Sequence, residues 1–220
     1  MEFSLIQKIL IWVIPVLLAI TLHEAAHAFV ANYYGDDTAK SQGRMSLNPF
    51  RHIDLVGTII IPLVLLILSN FKFTLGWAKP VPVLSHRLRK PMPHMALVAL
   101  AGPGMNFGMA IAWAMLLKIL VITNSEISPG LLFMVYMCRI GILINLVLAV
   151  LNLLPIPPLD GSRIVAWLMP SNWVEPYYKI EPYGILVLLV LLITGLLGKL
   201  ILPLVYWGNE FIFMLLGLSG

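Results

Sequence analysis

His23-Glu24-Ala25-Ala26-His27 sets two imidazoles four residues apart, with a carboxylate beside the first. On an α-helix, residues i and i+4 share a face, so His23 and His27 can offer two nitrogens to one ion. Glu24 is adjacent and can poise a metal-bound water. Two imidazoles and a general base on one helix form the H-E-x-x-H arrangement of zinc hydrolases. The bland alternative is a polar cluster that packs helices together. A catalytic zinc ion usually takes three protein ligands and keeps a fourth position open, so a third ligand must come from elsewhere. By residue type, His52, His86, His94, Cys138 and the acids are all open for that place. Asp160 stands apart from the other acids, most of which sit in polar loops. It ends the run Asn152-Leu-Leu-Pro-Ile-Pro-Pro-Leu-Asp160, followed by Gly161. Three prolines within four residues forbid a regular helix, so a stiff, extended segment is expected to carry the carboxylate. Gly161 then permits a tight turn, and Asn152 lies one or two turns deeper.

The elements that must position these groups are apolar. Of 220 residues, 60% are hydrophobic and 11% charged, against about a quarter charged in soluble domains. Mean hydropathy is +0.95. These values exclude disordered and disulfide-rich secreted classes and describe an integral membrane protein. The net charge of +4 gives no reason to expect a nucleic-acid partner, because basic residues in such a chain mark cytoplasmic loops. Apolar runs long enough for a bilayer core of about 30 Å cover residues 3–34, 93–122, 131–154 and 183–206. A shorter run covers 55–69, and an apolar tail covers 211–218. The first 28 residues imitate a secretory signal with Ala26-His27-Ala28 as its cleavage site. Their n-region, however, carries one acid as well as one base, and the rest of the chain is itself polytopic. The fold class expected is an all-α polytopic membrane protein of four to six membrane helices. A small β-hairpin or re-entrant element is expected between the HExxH helix and the 93–122 helix. One membrane-embedded domain, 1–220, is expected.

HEAAHA early in the chain and NLLPIPPLDG in a later span resemble the paired motifs of the site-2 protease family. AGPGMNF (101–107), GRMSLNP and GWAKPVPV also resemble family elements, so the likeness runs from Leu22 to Arg163. It implies an intramembrane zinc endopeptidase that cleaves transmembrane or membrane-adjacent segments of a membrane protein or peptide substrate. It implies one Zn2+ held by His23, His27 and Asp160, with Glu24 as general base and Asn152 assisting substrate or oxyanion binding. With no further span before the HExxH helix and no PDZ or CBS domain, the pattern fits the compact branch of the family.

A shared ion requires the C-terminal ends of the first span and of the 131–154 span to lie on one side, so these helices should run parallel. The 93–122 helix then crosses between them, and 55–69 must dip in and return or lie in a protein-lined groove. Its Gly57 and Pro62 suit a re-entrant element. With that topology, ten of the fourteen basic residues face the metal side: eight between positions 40 and 90, plus Arg163 and Lys179. That side is expected to be cytoplasmic in a multi-pass cell-membrane protein. The segments 35–54 and 77–83 are expected to offer an edge to an extended substrate by β-augmentation. Gly104 and Gly108 have the G-x-x-x-G spacing of close helix packing. Asn106 either supports the site or bridges helices. Two further functions fit the same residues: a divalent-cation (zinc) transporter using the ligand cluster in passing, and an inactive family member acting as a membrane binding partner.

Overall fold

A computed structural model describes residues 3–68, 79–123 and 128–218. Three long helices form its centre: α1 (Leu5–Tyr33), α4 (Pro91–Thr123) and α5 (Pro129–Asn152). Between α1 and α4 lie a single turn, α2 (Thr38–Ser41), and a π-helical stretch, Leu55–Ile60, that runs into α3 (Ile61–Leu68). After α5 come α6 (Asp160–Leu168), α7 (Ser171–Tyr178), α8 (Gly184–Ile193) and α9 (Leu196–Leu216). Among the described residues, five stretches are long and apolar enough to cross a bilayer: α1, α4, α5, the α7–α8 stretch Ser171–Ile193, and α9. The chain is a multi-pass, all-helical membrane protein.

Local sequence explains where the central helices begin. Ser4 caps α1, exchanging hydrogen bonds with Gln7 in a capping box. Ser128 caps α5 by accepting from the Leu131 amide, and Pro129 takes the first helical position. Ala110, Trp113, Ala114 and Leu117 of α4 and Met137, Cys138, Ile142 and Leu146 of α5 form a buried core with Val205 and Ile212 of α9, and Ile14 of α1 packs against it. Close approach comes at Gly141, where a Cβ would stand 2.5 Å from the Trp113 ring. A Cβ at Gly104 or Gly108 would meet nothing within 4 Å. The G-x-x-x-G pair is therefore not the contact surface its spacing suggested.

The chain direction follows from contacts at the helix ends. Phe3 packs edge-on against Phe133 and Tyr136, so α1 and α5 start together and run parallel. The Arg89 amide donates to Tyr34 O at 3.0 Å, so α4 starts where α1 ends and runs back between them. Residues 34 and 89 being neighbours, the chain between them leaves and returns at the same end. Leu55–Leu68 would rise about 21 Å at 1.5 Å per residue, short of a full crossing. It is not sheltered by protein, since Leu55, Val56, Ile60, Leu63, Val64 and Ile67 are exposed. The groove-buried version of the re-entrant reading is thus corrected, since these six side chains face outward and not into a protein-lined groove.

Three further expectations change. Among the described residues there is no β-strand, so the β-hairpin and its substrate-pairing edge are withdrawn. In 79–84, Pro80 and Pro82 have no N–H to donate and the Val81 amide is engaged elsewhere, which leaves no regular ladder on that edge. Residues 69 and 76–78, part of the 55–69 and GWAKPVPV readings, lie outside the described residues. The run 183–206 is not one span: Gly195, at φ 72°, separates α8 from α9, a left-handed conformation natural to glycine. Finally, 155–159 is coiled in turns, with Ile156 donating to Leu154 O and Leu159 to Ile156 O, instead of extended. Gly161 has no left-handed φ; its bare Cα lets the start of α6 rest on the Leu153 and Leu154 carbonyls.

Candidate metal centre

The parallel arrangement brings the C-terminal half of α1 against the first turn of α6. His23 Nε2 and His27 Nε2 stand 3.2 and 3.3 Å from Asp160 Oδ2, and 3.0 Å from each other. One donor atom from each of the three lies within 4.8 Å of the others. Both histidines are 8% exposed. Asp160 Oδ2 is buried and has no hydrogen-bond partner. Asp160 also stands at the first residue of α6, where the helix dipole favours negative charge.

The other imidazole nitrogens are fixed from behind. His27 Nδ1 donates to Val98 O at 2.7 Å, and His23 Nδ1 to Asn106 Oδ1 at 2.6 Å, both on α4. With Nδ1 protonated, each Nε2 carries a lone pair toward the carboxylate. Three lone-pair donors facing one another repel unless a cation sits among them. Two imidazoles and one carboxylate are also a donor set that zinc accepts. Space for an ion comes from Gly102: a Cβ there would lie 2.5 Å from His23 Cε1 and His27 Nε2, and 2.6 Å from His23 Nε2. The residues present fit a bound dication.

Glu24, half-buried, accepts a hydrogen bond on Oε2 from the Val81 amide at 2.8 Å. The segment 79–84 is tied down on both sides of that contact. Lys79 N donates to His52 O, and Leu84 N to Asp36 Oδ2 at 2.6 Å. Asp36, fully buried, also accepts from the Thr38 amide and hydroxyl. Burial would raise its carboxyl pKa, but these donors and Arg87 lower it below the usual carboxylate range. Arg44 reaches the Lys79 and Pro80 carbonyls at 3.5 and 3.4 Å.

The remaining residues raised by the sequence fall elsewhere. Asn152 donates to Leu148 O one turn back on α5 and makes no hydrogen bond to the triad. His52 is buried against Ser46 O at 2.8 Å. His94 stacks on Tyr34 and accepts from the Lys90 amide, and Cys138 packs in the core. Two residues went unnoticed in the sequence. Asn145 had a signal, as an amide inside a span is costly and so marks a site. Gly102 had none beyond its small size in AGPG.

Fold and site together describe a multi-pass membrane protein in which His23, His27 and Asp160 are grouped so that they could hold a metal ion. The family model described as peptidase family M50 matches residues 119–195. A Bacillus subtilis (strain 168) protein named "Putative zinc metalloprotease YwhC" is 40% identical over 207 residues, covering 92% of this chain and 89% of that one. A Mycolicibacterium smegmatis protein with the same description, Rip2, is 29% identical over 196 residues, covering 89% and 71%. No solved structure matches. The chain belongs to peptidase family M50, the site-2 protease family of zinc metalloproteases.

Proposed function

We propose that this protein is an intramembrane zinc endopeptidase that cleaves transmembrane or membrane-adjacent segments of membrane proteins or peptides. His23, His27 and Asp160 would hold one Zn2+, with the site facing the cytoplasm. The observation that carries this reading is the meeting of His23 Nε2, His27 Nε2 and Asp160 Oδ2 within membrane-spanning architecture, beside Glu24. The skew of basic residues toward the metal-side loops supports the orientation.

When bound, zinc lowers the pKa of its water toward about 7 and polarises a carbonyl. Glu24, one residue along the helix from His23, takes a proton from water and returns it to the leaving amine. Asn152, turned off Leu148 O, supplies a donor to the oxygen on which charge develops. The peptide bonds of a helical substrate are shielded by their own hydrogen bonds, so the substrate must be locally unwound to be cut. Glu24→Gln keeps the ligands and removes the base. Turnover of a single-span substrate in detergent is expected to fall by about 10^2–10^4-fold with zinc content unchanged. Retained cleavage would overturn the reading, and zinc flux into proteoliposomes would favour a transporter.

A further inference from the structure

Asn106 and Asn145 are both 0% exposed in the membrane-spanning core, where a polar group without a partner is heavily penalised. Their contacts run in one direction. Asn145 Nδ2 donates to Gly141 O at 2.8 Å. Asn106 Nδ2 donates to Asn145 Oδ1 at 3.0 Å and to Ala19 O at 3.2 Å. Asn106 Oδ1 faces His23 Nδ1 at 2.6 Å. We propose that these two asparagines form a hydrogen-bond relay of fixed polarity that decides which nitrogen of His23 carries its proton, making both of them positioning residues. This deepens the metal-site reading and rests on it.

The polarity follows from the two ends. Ala19 O and Gly141 O are backbone carbonyls and can only accept. Gly141 O therefore fixes the Asn145 amide with its oxygen toward α4. That oxygen and Ala19 O together use both N–H groups of Asn106. What remains for His23 is an amide oxygen, which accepts only, so Nδ1 must bear the hydrogen and Nε2 is left bare. Flipping Asn106 would set its oxygen against two other acceptors and let His23 turn an Nε2–H into the metal position. A carboxylate at 106 could not do the same work. It has no donors for Ala19 O or Asn145 Oδ1, and it would bury a second charge close to Asp160. The relay orients the ligand while leaving the charge of the site to Asp160. Outer partners of this kind commonly hold ligand orientation and metal affinity.

The test uses the full chain in detergent. In zinc-free, 15N-histidine-labelled protein near neutral pH, His23 is expected as the Nδ1–H form; a dominant Nε2–H form would overturn the relay without any variant. Asn106→Leu should give a mixture of the two forms. By chelator competition it should weaken zinc binding by about 10–100-fold, and Asn145→Leu should weaken it by less. Cys138→Ala, equally buried on α5, should lower the thermal midpoint without moving the zinc constant. If Asn106→Leu lowers the midpoint yet keeps wild-type zinc affinity, Asn106 only bridges helices and the relay falls. Asp160→Asn separates the two readings: unchanged zinc affinity in that variant would sink the metal site itself.

Discussion

The triad has a back and a front, and they are built differently. At the back, His23 and His27 lean on Asn106 Oδ1 and Val98 O of α4, with Gly102 against both rings. Every one of these contacts joins long helices whose mutual packing forms the core. At the front, Glu24 leans on the one N–H available in Pro80-Val81-Pro82, within a segment of no regular structure. The back is fixed by elements that cannot move without unpacking the bundle. The front is held at a few anchor points: His52 O, Glu24 and Asp36, with Arg44 on the carbonyls. The contrast suits the two tasks. Ligands gain from rigidity, since a metal site tolerates little displacement. In the mechanism proposed above, Glu24 would exchange partners each time water and substrate enter.

The sharpest way to break this contrast is at Gly102. In Gly102→Ala the new Cβ would meet three imidazole atoms at 2.5–2.6 Å, and α4 cannot withdraw without losing its packing against α1 and α5. Zinc binding should fall by more than about tenfold, and cleavage nearly vanish, by analogy with overpacking penalties of roughly 1–3 kcal/mol in dense cores. Gly208→Ala on α9 is the control, because its Cβ would press on the core residue Leu146 at 3.2 Å and on neither imidazole. It should lower the thermal midpoint and leave the zinc constant alone. Equal zinc loss in both variants would mean that the back of the site has no special rigidity.

How much of this could be read from residues alone divides along the same line. His23, Glu24 and His27 are local in sequence and helical spacing puts them together, so they were legible at once. Asp160 was legible because prolines isolate it at the end of a span, although the segment proved to be a pair of turns. The parallel run of α1 and α5 followed from requiring one shared ion. The back was half-legible: Asn106 was noticed and Asn145 could have been, but Gly102 becomes meaningful only when α4 is seen beside the rings. The front was misread. Alternating Pro and Val looked like a strand edge, yet a strand needs N–H groups at regular intervals, and prolines at 80 and 82 remove them. A contact from a main-chain amide such as Val81 N leaves no trace in side-chain identity.

The front can be loosened on its own. Val81→Pro deletes the amide that meets Glu24 and changes little else, since the neighbours are already prolines. A hydrogen bond to a carboxylate is worth about 1.5–3 kcal/mol, but water can replace part of it at a half-buried site. Turnover is expected to fall several-fold while zinc affinity stays at the wild-type value. Zinc loss in this variant would show that front and back are one mechanical unit, and the contrast would then have to be abandoned.

The smallest effect is expected at Asp36, which anchors the far end of the same segment. Its carboxyl pKa is lowered in the folded protein by the Thr38 and Leu84 donors, against an unfolded value near about 3.9. The sign follows: a depressed carboxylate contributes its stability in full above the unfolded value and loses it as pH falls through the folded one. Asp36→Asn should therefore resemble the wild type most closely in strong acid and differ most near neutrality. There its single amide oxygen can accept on one side only, the NH2 faces a donor on the other, and the charge that strengthens the hydrogen bonds is gone. Limited proteolysis across residues 79–84 should be faster in the variant at pH 7, and that difference should shrink below about pH 4. Zinc affinity should not change, and turnover should change less than in Val81→Pro. A proteolysis difference that grows toward acid would show that the Asp36 carboxylate is not what holds the segment down, leaving the Lys79 and Arg44 contacts to account for its position.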